Sequence, residues 1–303
     1  MININDYLSI EKIRELCRTI NIPEDITEKV VLILEGGEPE KAAPYFEGLF
    51  NKDTAEDAAQ KINDLFPAIN EATNEVDFSF MTVFLAAALR RYEIYVEQDI
   101  DLNIYYDTMS CFRTVLERDR VLYGEYSFRN TSFWYYRQFT GQIYKLGTLE
   151  FEMLYLHKEL ADICKMSEGD LVLSVHIPFK SNMTRENLDG SYNMAKAFYA
   201  KHYPEFKDAP FYCGTWLLAP SLKTLLAPDS KILEFQSDFN IVDINPEAKD
   251  CMFWVFGQQG RDSEYTQLPE NTSLQKAIKN HLLNGGNIGS AIGLIYWEAE
   301  KHE

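Results

Sequence analysis

The chain has 303 residues, of which 46% are hydrophobic and 25% charged, a composition that excludes disordered and collagen-like chains. Its length suits two domains, each able to bury a core of its own. Forty-seven acidic against 29 basic residues leave a formal net charge of -18, which repels phosphate backbones and argues against nucleic acid and anionic membrane as partners.

The opening residues show neither the basic stretch nor the apolar core of a secretory signal. The longest apolar stretch, Phe78 to Leu89, is interrupted by Ser79 and Thr82 and falls short of a bilayer span, so a cytoplasmic protein is expected. Five scattered cysteines (Cys17, Cys111, Cys164, Cys213, Cys251) form no CxxC pair and read as reduced thiols.

Residues 1–125 read as an α-helical domain. Ile10, Ile13, Leu16, Cys17 and Ile20 recur at helical spacing, Pro23 opens a second helix, and Gly36-Gly37 stops it. Thr54, with Asp57 three residues on, is a candidate cap for the next helix. Asp77 to Gln98 is long and mostly apolar, and Ile104, Tyr105, Met109, Phe112, Val115 and Leu116 mark one further helical face.

From about Gly141 the period changes to two, and residues 126–303 read as an α/β domain on a mixed sheet with flanking helices. Strands are predicted over Leu149–Tyr155, Leu171–Ile177, Phe211–Leu218 and Cys251–Phe256, with Ile232–Ile241 as a weaker candidate. Helices are predicted at Ser191–Tyr203, Leu222–Leu226 and Ser273–Leu283, the last behind a Thr272–Gln275 capping box. The first region carries a net charge of -13 and the second -5, so an anionic ligand fits better in the second. The five histidines show no metal-ligand spacing, and there is no GxSxG, Walker or GxGxxG run, so no metal is expected.

The strand Leu171–Ile177 places Ser174 and His176 on one face, with His176 near the carboxyl end, where ligands of open α/β sheets bind. Acid–base work and a half-buried structural imidazole are both open to it. Glu150 and Glu152 share a face of their strand, suited to holding an amine or accepting its proton, or simply to meeting solvent. Cys213 becomes a candidate acyl acceptor if it lies beside His176, and is otherwise core; Trp216 lies on the other face of the same strand. The aromatic run Phe128–Phe139 offers Trp134 and Arg137 as cleft-lining residues or as a packing seam between domains.

Several strings, Leu146–Glu152, Val175–Pro178, Cys213–Pro220, Trp254–Gly257 and Leu268–Ala277, together resemble a bacterial acyltransferase family. In that family a helical N-acyltransferase-like N-terminal domain precedes a C-terminal domain with a GNAT-like fold. The resemblance spans most of the chain. It implies an acyl-CoA co-substrate and transfer to an amine, with Glu152 or His176 taking the ammonium proton. Well-studied GNAT enzymes hold the CoA pyrophosphate on an R/Q-x-x-G-x-G/A turn. The corresponding stretch here, Pro178 to Ser191, has only Gly190, which leaves Lys180, Arg185 and the amides near Gly190 and Ser191 as candidates for that task. The alternative is a GNAT-derived scaffold that binds a small metabolite or a protein without catalysis. A third reading is a hydrolase built on Glu150 or Glu152.

Overall fold

The computed structural model describes residues 2–70, 73–129, 134–258, 260 and 263–296. The chain divides into two compact units, Met1–Leu146 and Gly147–Glu303.

The first unit is helical. Helix α1 (Ile10–Thr19) is capped by the Ser9 side chain, which accepts a hydrogen bond from the Lys12 amide. Helix α2 (Glu24–Glu35) starts after Pro23 and stops at Gly36-Gly37, where Gly37 turns to φ 71°. Helices α3 (Ala43–Phe46) and α4 (Ala55–Leu65) and a hairpin of β1 (Ile69–Asn70) and β2 (Glu75–Val76) follow. Thr54 precedes α4 without capping it: its hydroxyl donates to the carbonyls of Gly48 and Asn51. Helix α5 (Ser79–Glu97) is the central strut, with every residue from Ser79 to Ala88 buried. An apolar helix of this kind needs core on all sides. The face predicted to be continuous from Ile104 to Leu116 is broken at Ser110 into α6 (Leu102–Met109) and α7 (Cys111–Tyr123). Helix α8 (Tyr136–Thr140) and strand β3 (Ile143–Leu146) close the unit. Phe80, Phe84, Phe112, Phe128 and Phe139 are buried here, with Phe84 and Phe139 meeting edge to face at 5.0 Å. Asn130, Thr131, Ser132 and Phe133 of the aromatic run lie outside the described residues.

In the second unit the strands β4 (Leu149–Tyr155), β5 (Leu171–His176), β6 (Phe211–Thr215), β7 (Asn240–Asn245) and β8 (Ser290–Ile295) run in the spatial order β4-β5-β6-β8-β7. All neighbours are antiparallel except β5 and β6, which are parallel. A parallel neighbour demands a crossover, supplied by helix α10 (Arg185–His202); helix α9 (Lys158–Cys164) links β4 to β5. One face of the sheet buries Val172 and Leu294 against Leu156, Ala161 and Cys164 at α9. The other presents Phe151 and Phe211 to α10, where the Tyr199 hydroxyl donates to the Phe151 carbonyl and the Tyr192 ring lies 5.5 Å from Phe211. Helices α11 (Lys231–Ser237), α12 (Asp250–Phe256) and α13 (Ser273–Leu283) complete the unit, with the Thr272–Gln275 capping box formed as predicted.

Three sequence expectations need correction. Cys251–Phe256 is a helix instead of a strand, because a short apolar run fits either state and the Val255 carbonyl is taken by the Gln275 side chain instead of a sheet neighbour. Ile232–Ile241 divides into α11, capped by the Ser230 hydroxyl, and the start of β7. The strand predicted to reach Leu218 ends at Thr215, whose side chain accepts from the Leu217 amide and turns Trp216–Leu218 into a 3₁₀ helix. Among the described residues, no helix is long and apolar enough to cross a membrane.

Candidate active site

The β4–β5 register opposes Glu150 to His176 and Glu152 to Ser174, so all four side chains share the sheet face that α9 covers further along. Diagonal neighbours on an antiparallel pair are within reach of long side chains. Glu152 uses that diagonal: its Oε2 lies 2.9 Å from His176 Nε2. The Glu152 side chain is 6% exposed and the imidazole 24%, so the carboxylate is the buried, fixed member and the ring the outward one. Glu150 is likewise buried, directly across from His176. Both carboxylates were expected to share a strand face, and they do, but as part of the sheet interior instead of a solvated one.

The couple stands at the carboxyl end of β5, where the sheet opens. Parallel pairing covers only Leu173 with Phe211 and Ser174 with Tyr212, although β5 continues to His176 and β6 to Thr215. The two strands therefore part beyond Ser174. The Val175 carbonyl, past the last pair, accepts the Cys213 thiol at 3.4 Å. Divergent carboxyl ends of parallel strands are where a ligand can lie against backbone groups that no neighbour has claimed.

Cys213 and His176 are not brought together. In β6, Tyr212 shares the face of Ser174 and His176, so Cys213 points to the opposite face, where burial pushes its thiol up to about 12. No thiolate–imidazole pair forms, and the acyl-acceptor expectation loses its geometric basis. Trp216 is 9% exposed and packs in the 3₁₀ turn after β6. In the first unit, the Arg137 guanidinium lies 4.3 Å from the Trp134 ring centroid, a cation–π stack.

The residues named for a phosphate turn are used differently from one another. Gly190 and Ser191 lie inside α10, whose amides are committed to helix hydrogen bonds, so they do not form a cradle. Ser191 is instead structural: its Oγ accepts from the Thr148 amide at 2.7 Å, against Gly147 at φ 73°. Arg185 opens α10 but is held by Asp238 at 2.7 Å and Asp189 at 2.8 Å. Lys180 sits before the helix in the left-handed region, φ 62°, with its ammonium 5.3 Å from the Phe179 ring centroid. Thr184 precedes α10 without a side-chain cap, and Lys231 reaches Asn182 at 3.1 Å. The first turn of α10 thus offers uncapped amides with lysines nearby, and this is the part of the stretch that suits an anion. Among the described residues, no group of three or more His, Cys, Asp or Glu side chains is placed to hold a metal ion.

Two residues escaped the sequence reading. Asp238 gathers Arg185 and the Tyr192 hydroxyl, 3.2 Å away, and no local pattern announces a contact across 46 residues. Tyr212 stands on the His176 face and burial, chiefly, pushes its hydroxyl up to about 12. Strict alternation along β6 was the signal that could have found it.

Comparison with known proteins agrees with this architecture. A crystal structure of an acyltransferase in complex with decanoyl-CoA and teicoplanin matches at 21% identity over 95% of this chain and 88% of that one, TM-score 0.75. The acyltransferase in complex with decanoyl-CoA alone matches with TM-score 0.74, at the same identity and coverage. An acyltransferase in complex with CoA and 10C-teicoplanin matches at 20% identity, with the same coverage and TM-score 0.76. No curated protein matches in sequence. The N-acyltransferase N-terminal domain matches residues 11–141 and the GNAT-like C-terminal domain residues 143–295. The chain belongs to the family that joins these two domains.

Proposed function

We propose that the protein transfers an acyl group from a CoA thioester to the amine of a small-molecule acceptor, with the Glu152–His176 couple as the proton acceptor. The observation that carries this reading is the 2.9 Å contact between a buried carboxylate and a partly exposed imidazole at the point where β5 and β6 part. Family membership supports the reaction class, and the acyl-CoA and CoA complexes of the similar structures support the donor.

The chemistry balances without a further reagent. The acceptor nitrogen attacks the thioester carbonyl carbon, a C–N bond forms, and the couple takes the nitrogen's proton. Collapse of the tetrahedral intermediate breaks the C–S bond, and the thiolate leaves with that proton as CoA thiol. Glu152 fixes the ring orientation and stabilises the imidazolium that forms in passing. Backbone amides at the parted strand ends are the donors available to the developing oxyanion. The first turn of α10, with Lys180 and Lys231 beside it, would take the phosphates. Glu150, across from His176, and Trp216 are the residues we assign to the acceptor side.

The test begins with thermal unfolding of the full chain with and without acetyl-, octanoyl- and decanoyl-CoA. A ligand at 100 times its dissociation constant adds about 2.7 kcal/mol, which reads as a clear rise in midpoint. Thiol release during incubation with an amine panel then measures turnover. His176→Ala and Glu152→Gln are expected to lower kcat by about 10²-fold or more with acyl-CoA affinity retained. Full activity in both variants would remove the assigned roles. A complete absence of binding at any chain length would replace the enzyme reading with the binding scaffold, which the missing glycine-rich turn favours.

A further inference from the structure

The first unit contains a cleft of about 300 Å³ that the acyl-transfer chemistry does not use. Four of its ten lining residues are tyrosines, Tyr7, Tyr92, Tyr105 and Tyr106, and two are glutamates, Glu15 and Glu93. Tyr105 is buried and anchored by its hydroxyl to the Ala88 carbonyl at 2.9 Å. Its ring stands at 83° to Tyr92 and 70° to Tyr106, with centroids 5.3 and 5.0 Å away, so the three rings form a corner. Tyr7 donates to Glu93 at 2.9 Å, and Arg90 pairs the same carboxylate at 3.0 Å.

The two glutamates differ in what they have left to give. Glu93 is tied up by the Tyr7 hydroxyl and by Arg90, which also pairs Glu97 at 3.1 Å, whereas the Glu15 carboxylate makes no hydrogen bond or ion pair among the described residues. Glu15 lines the same cleft as the three rings, and burial first, then Tyr92 and Glu15, hold the Tyr106 hydroxyl above its usual value. Aromatic faces carry negative potential and attract a cation most strongly where water is partly excluded. The surrounding field points the same way, since residues 1–125 carry a net charge of -13. Lys12 is the one positive side chain among the ten lining residues and would oppose a cationic ligand, while Arg90 stands behind Glu93.

We propose that this cleft binds a small organic cation, a substituted ammonium group, with Glu15 as its counter-ion and Tyr92, Tyr105 and Tyr106 as its aromatic walls. The site lies wholly within the first unit and stands independently of the acyl-transfer reading. An alkyl-substituted ammonium suits it better than a metal ion, because ring faces replace water at a diffuse charge more readily than at a compact one.

The experiment uses the full chain at low ionic strength, with choline chloride as the probe and 3,3-dimethyl-1-butanol as its neutral isostere. Saturation-transfer NMR detects contact, and calorimetric titration gives the affinity. Choline is expected to bind at least about threefold more tightly than the isostere, and Glu15→Gln to weaken it by about two- to fivefold. Lys12→Ala is expected to act in the opposite direction, strengthening choline about twofold. Both substituted side chains are exposed, so folding is checked simply by an unchanged thermal midpoint. Tyr92→Phe is expected to retain binding, since the ring face persists. Equal binding of choline and the isostere, indifference to Glu15→Gln, weaker choline binding in Lys12→Ala, or no saturation-transfer signal at about 100 mM choline would each overturn the proposal.

Discussion

Each unit buries a carboxylate, and the two are surrounded in opposite ways. Asp119, on α7 of the first unit, is fully buried and accepts from the Ser127 hydroxyl and the Arg129 amide at 2.9 Å each, while Arg118 closes on its other oxygen at 2.7 Å. Glu152, on β4 of the second unit, is nearly as buried but meets an imidazole that is 24% exposed. Arginine keeps its proton at every accessible pH, and a backbone amide has none to trade, so the Asp119 cluster can only hold a chain segment in place. An imidazole nitrogen can both accept and donate a proton, so the Glu152 couple can connect a fixed charge to whatever reaches the ring. The difference lies in the partner: burial of the acid is common to both, and only a titratable partner at the surface turns it toward chemistry.

The most forceful way to break this contrast is at Asp119. Asp119→Ala removes one member of a buried pair and leaves the Ser127 hydroxyl and Arg129 amide without their acceptor. Loss of a partner from such a cluster costs about 3 kcal/mol. Urea denaturation followed by circular dichroism should show the first unit unfolding at lower denaturant, while acyl-CoA turnover per folded molecule stays within about twofold. A loss below about 1 kcal/mol would mean that Asp119 is not a structural clamp.

Ser191 sharpens the same distinction at smaller scale. Its hydroxyl accepts from the Thr148 amide, so Ser191→Ala strands a half-buried donor and should cost about 1–2 kcal/mol. The affinity for acyl-CoA should not move. If affinity falls while stability does not, Ser191 belongs to the phosphate site after all, and the α10 first turn is displaced as the candidate.

Much of this was legible in the sequence. Alternation placed Ser174 and His176 on one face and Glu150 and Glu152 on another common face, and the register joined them. The helical character of the first unit followed from apolar spacing, and the capping box at Thr272 marked α13 to the residue. Register itself was not legible, because pairing depends on turn geometry and on which faces find a core, and no residue of β4 carries that information alone. The Asp238 clamp on Arg185 joins residues 53 apart, and the tyrosine corner around Tyr105 depends on how the consecutive helices α5 and α6 pack, which their separate apolar patterns do not state. Short apolar runs such as Cys251–Phe256 suit helix and strand equally until tertiary contacts decide.

The smallest expected effect is at Cys213, and it tests the two-sided character of the sheet most directly. Its thiol faces α10 and donates weakly to Val175, so Cys213→Ala should cost about 1 kcal/mol at neutral pH. Burial raises the thiol from 9.0 to about 12, which means that the fold favours the protonated form. That contribution is fully present below the unfolded value of 9.0 and is lost as pH rises toward about 12, so the stability gap between wild type and Cys213→Ala should narrow across that window. Turnover should stay within about twofold, because a direct transfer forms no bond to this sulfur. A fall of about 10²-fold with the thermal midpoint preserved would place the thiol in the reaction, and with it a two-step route that requires β6 to present its other face.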